Sequence, residues 1–157
     1  MKFVDFTMPW EQPYQFIHPS VTVEGMEDEH ITFTVKCWGG AIAGYWYRVE
    51  FCFQDVLEYR WLEFWTSYAD FELPKSQYSF SPGEVVNSVY VENILSKGIL
   101  RAYPGDRIQG ASEEDVRHFM LPFDDYGTFH IIALAYTITI GEQLSMEAPE
   151  EQFRRKT

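Results

Sequence analysis

Alternation of apolar and polar positions dominates the chain. Ile31, Phe33 and Val35 interleave with Thr32, Thr34 and Lys36, the period-two signature of a strand with one face buried. Ser20–Glu24 alternates in the same way. Tyr45, Tyr47, Val49, Phe51 and Phe53 then share one face of a long strand, with Trp46, Arg48, Glu50, Cys52 and Gln54 on the other. The Arg48/Glu50 pair marks that second face as partly wet. Phe119, Leu121 and Phe123 alternate into Asp124-Asp125-Tyr126-Gly127, and Phe129 to Ile140 returns as a strand apolar on both faces. This predicts a hairpin whose second strand is central and covered on both sides. His130, Ile132, Leu134, Tyr136, Ile138 and Ile140 are expected to share one face of it.

The remaining segments are less regular. Asp55 to Tyr68 fits a helical stripe through Val56, Leu57, Trp61, Phe64, Trp65 and Tyr68, and Leu57, Tyr59, Trp61 and Trp65 also fit alternation; its aromatic richness tips the reading to strand. Val85 to Glu92 reads as a strand, with Asn93 capping a short helix over Ile94 to Lys97 that Gly98 stops. Ser112-x-x-Asp115 has the form of a capping box. Gly39 to Gly44 reads as a loop, as do Pro74 to Gly83 and the turn Tyr103-Pro104-Gly105-Asp106. The first 19 residues, broken by Pro9, Pro13 and Pro19, read as an irregular arm tacked down by Phe3, Phe6, Trp10, Tyr14 and Phe16. From Glu147 the chain is polar and is expected to be a flexible tail. The pattern as a whole predicts one mainly β domain over 1–146: an antiparallel β-sandwich or a strongly curled sheet with one or two short helices.

Composition narrows the function more than the fold. Aromatic residues are 18% of the 157, enough ring area for a large core and against disorder. Lys and Arg number 12 against 24 Asp and Glu, a net charge of −12. That argues against nucleic acid and anionic membrane as partners, since both need a positive face. The N-terminus does not read as a signal peptide, and no run is apolar enough for a membrane helix. Two cysteines, Cys37 and Cys52, without a CxxC pair, suggest buried free thiols and a cytoplasmic location.

Candidate chemistry is sparse. No G-x-S-x-G elbow and no phosphate loop is present, and no cofactor motif stands out. His118 and His130 flank Asp124-Asp125, as metal ligands would. A turn at Asp125 to Gly127, however, places His118 opposite Ala133 to Ala135, roughly 10–17 Å from His130 at about 3.3 Å per residue. No metal site is therefore expected. Cys52 lies on the face of Arg48, which could activate it; filling a gap between rings is the favoured reading. What remains is surface character. The acidic runs Glu27-Asp28-Glu29 and Asp124-Asp125, with Tyr126, are candidate contacts to a basic protein partner. Trp46, Arg48 and Glu50 are an alternative ligand-binding set, able to stack and hydrogen-bond a sugar or other small molecule.

The run Val89-Tyr90-Val91-Glu92-Asn93, then Arg117-His118-Phe119-Met120-Leu121-Pro122-Phe123-Asp124-Asp125-Tyr126-Gly127 and Ile131-Ile132-Ala133, resembles a pattern in small acidic β-rich bacterial proteins, some of which look like immunity proteins of polymorphic toxin systems. The resemblance covers about the last third of the chain, rests on strand and turn residues, and carries over no functional residue. It implies a non-catalytic inhibitor of a basic toxin domain, acting by occlusion. Two other readings stand beside it. One is a small-molecule or carbohydrate binder, or an enzyme, using the aromatic strand. The other is a structural subunit of a homo-oligomer, joined through a sheet face.

Overall fold

The alternating segments form seven strands of one antiparallel sheet, ordered β1-β5-β6-β7-β4-β3-β2. These are β1 (Lys2–Asp5), β2 (Tyr14–Glu24), β3 (Thr32–Ala41), β4 (Trp46–Leu62), β5 (Gly83–Val86), β6 (Arg117–Phe123) and β7 (Gly127–Gln143). One helix, α1 (Val89–Ser96), and a 3-10 turn at Glu113–Asp115 complete the described architecture. The computed structural model describes residues 1–10, 14–25, 30–41, 45–63, 81–97, 112–123 and 126–143. The expected tail from 147, the turn at 103–106, residues 64–68, the loop at 74–80 and residues 42–44 lie outside these.

The sheet is curled, not paired face to face as a sandwich. Phe16 of β2 meets the ring of Phe123 of β6 edge-on at 6.5 Å, although three strands separate them in the sheet. The concave side holds the main core. Phe33, Val35, Val49, Phe51, Phe53, Phe119, Leu121 and Ile131 converge there, none more than 2% exposed. The N-terminal segment threads through this concavity. Phe6 stacks on Tyr136 at 4.9 Å and Trp10 on Tyr47 at 4.9 Å. The predicted tacking of the first residues is thus correct, but the arm is not wholly irregular: Lys2–Asp5 and the residues from Tyr14 are strands.

Several expectations are corrected by geometry. Gly39 and Gly40 belong to β3. A Cβ on Gly39 would lie 2.7 Å from the Phe16 ring and 2.9 Å from that of Trp10, and one on Gly40 would lie 3.1 Å from Trp46. These glycines admit aromatic rings onto the strand. The ambiguous segment after Asp55 is strand as far as Leu62. The helix begins earlier than predicted, because Ser88, not Asn93, is its cap: Ser88 Oγ accepts the Val91 N–H. Asn87, at φ 55°, turns the chain out of β5 directly into it. The expected capping box forms, with Asp115 accepting the Ser112 N–H at 2.8 Å.

The uniform alternation predicted for β7 also breaks. Tyr136, Ile138 and Ile140 pack on the concave core with Ala133, while Ile132 and Leu134 join Val91, Ile94 and Val116 beneath α1 on the convex side. The faces exchange beside Asp55 of β4. Asp55 is held at φ 52° by a 2.9 Å bond to His30, and the next residue, Val56, donates its N–H to Ile31. One left-handed residue thereby re-aims the paired strand.

Candidate functional site

Three local environments stand out among the described residues. The first is buried. Phe123 pairs with Gly127, so the register runs His118 opposite Ile132 and Met120 opposite His130. His118 and His130 are then diagonal neighbours, and α1 closes over them. His118 Nε2 lies 2.9 Å from His130 Nδ1, and Ser88 Oγ lies 2.8 Å from His118 Nδ1. The predicted separation of the two histidines is therefore wrong: the turn sits earlier than assumed, and the register shifts with it.

Ser88 Oγ accepts the helix N–H of Val91 and is hydrogen-bonded to His118 Nδ1. His118 Nε2 and His130 Nδ1 share a further hydrogen bond, so the tautomer of one ring fixes that of the other. Both rings are neutral. Burial pushes His118 down to about 3, helped by the Arg60 guanidinium. Burial, then the neighbouring His118 and Arg60, push His130 down to about 2. Arg60, the register partner of His130, is anchored by Glu58 and the Tyr90 hydroxyl.

A hydroxyl, an imidazole and an orienting group in sequence is the contact pattern of an activated nucleophile. The energetics oppose that use here. Taking the Ser88 proton would create an imidazolium that burial and Arg60 both disfavour, whereas a working base titrates near the operating pH. The chain is a polar clamp between α1 and the β6–β7 hairpin. Ser88→Ala leaves the Val91 N–H and His118 Nδ1 without their partner and is expected to cost about 1–3 kcal/mol, read as a lower urea midpoint at unchanged slope.

The second environment lies at the end of the β4–β7 ladder. Trp61, Tyr59 and Tyr126 are 50%, 43% and 39% exposed. Trp61 donates its indole N–H to the Tyr126 carbonyl, and its ring lies over Gly127, whose φ of 92° and missing Cβ admit it. Tyr59 rests on Phe33, with centroids 4.7 Å apart, and the Tyr126 hydroxyl meets His18 Nδ1 at 2.8 Å. This aromatic edge adjoins the connection containing Asp124 and Asp125. Of the predicted partner contacts, Tyr126 is exposed, while Asp124, Asp125, Glu27, Asp28 and Glu29 lie outside the described residues. Tyr59 and Trp61 were missed as contacts, because their alternation reads equally as core.

The third environment is a groove of about 410 Å³ across β2, β3, β4 and β7. Arg48 and Glu50 line it, as the alternative ligand set anticipates, but Trp46 does not: it is 6% exposed and packs against Gly40. Trp38 takes the aromatic place, with the Arg48 guanidinium 5.3 Å from its ring centroid. Cys52 receives the Thr34 hydroxyl at 3.8 Å, and Cys37 is buried, which raises its thiol pKa; both are unbridged. Among the described residues, no three His, Cys, Asp or Glu side chains are placed to share a metal ion, and no helix is long and apolar enough to cross a membrane. Compared with known protein families, curated proteins and solved structures, the chain matches none.

Proposed function

We propose that this is a non-catalytic protein-binding module that occludes a basic partner, the immunity-type inhibition of a toxin domain being its most concrete form. One observation carries the reading. Exposed Trp and Tyr side chains, the residue types that anchor interfaces, cluster at Tyr59, Trp61 and Tyr126, and Tyr126 directly follows Asp124-Asp125 in the sequence. The rings supply contact area at small entropic cost, since their neighbours already orient them. The net charge of −12 supplies the field that draws a cationic mate. Two unbridged thiols agree with a cytoplasmic setting.

The test is kinetic. With a partner recovered from the native host, association is expected to slow at least about tenfold from low to high salt. Trp61→Ala is expected to weaken the complex by about tenfold or more, about 1.4 kcal/mol, with the thermal midpoint checked in parallel. An association rate indifferent to salt, or full affinity in a folded Trp61→Ala variant, would overturn the proposal.

A further inference from the structure

The groove between β2 and β7 presents a charge pattern at odds with the rest of the molecule. Three arginines fall among the described residues. Arg60 is paired with Glu58 and Arg117 with Glu84. Arg48 has no carboxylate partner within the described residues, although acids outnumber bases two to one. It lies instead against the Trp38 ring. Lys36, also exposed and in the same groove, forms no ion pair among the described residues either.

The strand register places these groups. Trp38 opposes Arg48 and Lys36 opposes Glu50 across β3 and β4, and Glu50 opposes Thr139 of β7. Ser20 of β2 opposes Lys36 on the other side. One ladder row therefore reads Ser20, Lys36, Glu50, Thr139, with the Trp38–Arg48 pair in the next. Lys36 and Arg48 are diagonal neighbours on one face, roughly 7–8 Å apart at the backbone, so both heads can reach a single anionic group. Gly141 keeps the floor open beside Arg48, for a Cβ there would touch the Arg48 Cβ at 3.3 Å. A left-handed His18 at φ 53° and the adjacent bulge in β2 shape the rim.

We infer that this groove is a binding site for an acidic saccharide. Arg48 and Lys36 take the sugar carboxylate. Glu50, Ser20 and Thr139 offer acceptors and donors to ring hydroxyls, beside the Trp38 indole that orients the Arg48 guanidinium. A basic protein surface collects anions indiscriminately, but here the overall field repels them. Two free cations beside a stacked indole and a carboxylate thus favour a ligand that combines negative charge with hydroxyls over a bare anion. The inference does not rest on the protein-binding reading: the aromatic edge contributes none of the groups assigned to the ligand and meets the groove only where Tyr126 bonds His18 on its rim.

The experiment is a titration of the intact protein with D-glucuronate, followed by backbone amide NMR, with D-glucose and inorganic phosphate as parallel probes. Glucuronate is expected to shift the amides of Lys36, Trp38, Arg48 and Glu50 with a millimolar dissociation constant. It should bind at least about tenfold more tightly than either control, and Arg48→Gln should remove that advantage, one lost charge-assisted contact corresponding to about that factor. Arg48 is exposed, so this variant should fold, which its spectrum checks directly. Equal binding of phosphate would reduce the site to a plain anion patch and overturn the inference. So would equal binding of glucose, the absence of shifts, or an Arg48→Gln variant that binds like the parent.

Discussion

Lowering the pH from neutrality to about 5 is expected to remove roughly 4 kcal/mol of stability, about 2 from each of His118 and His130. The sign follows from the folded state. Both rings are held neutral with values depressed to about 3 and about 2, against 6.5 in the unfolded chain. Below 6.5 the unfolded chain binds two protons that the folded one refuses, so stability is full at neutral pH and is lost as pH falls through that value. Arg60 from β4 faces the pair, as do Ser88 and Tyr90 from the helix end, and the opening beside His118 is also lined by Glu84, Glu92, Glu113 and Glu114. Urea midpoints measured across this range are expected to fall steeply. The double variant His118→Gln/His130→Gln should flatten the dependence. In the parent protein, the imidazole resonances of these two residues should stay at their neutral positions through pH 5, and a midpoint near 6.5 in either would refute the account.

Phe119→Ala is expected to cost about 3–5 kcal/mol, the range for a buried aromatic truncated in a close-packed core, or roughly 10–15 °C in midpoint for a chain of this length. Phe119 is fully buried and joins four parts of the fold. Its ring centroid lies 4.9 Å from that of Tyr136 on β7, 5.1 Å from Phe53 on β4 and 6.1 Å from Phe6 of the N-terminal segment, with Arg117 of its own strand 5.3 Å above. No single neighbour can relax into the space without abandoning another ring. Phe119→Leu, which refills part of the volume, should recover more than half of the loss. A drop of under about 1 kcal/mol for the alanine variant would mean that the concave core collapses more freely than its packing indicates.

The strands were legible where one face is wet. β3 and the first half of β4 alternate cleanly, because Lys36, Arg48 and Glu50 stand on a solvated side. The β6–β7 hairpin was legible from its turn residues. Features set by a single backbone angle were not. Asp55 carries no mark of its left-handed conformation, yet it exchanges the faces of β7. Val89 and Val91 are β-branched and read as strand, and only the Ser88 hydroxyl beneath them starts a helix. The histidine pair was hidden by register: a turn displaced by one or two positions converts a separation too long for contact into a hydrogen bond. The same arithmetic applies to the groove. Arg48 and Glu50 were visible as a polar face, but Lys36 and Trp38 join them only once β3 is known to lie alongside.

The position of β1 has a consequence for how the chain reaches this state. Residues 2–5 pair with residues 83–86, and Phe6 settles against Phe119 and Tyr136, which emerge from the ribosome much later. Residues 2–5 can find no strand partner until residues 83–86 have been made, and Phe6 waits longer still for Phe119 and Tyr136. High contact order of this kind means slow acquisition of the native topology. Until it is complete, the unfinished rim of the sheet is open to promiscuous pairing with other nascent chains.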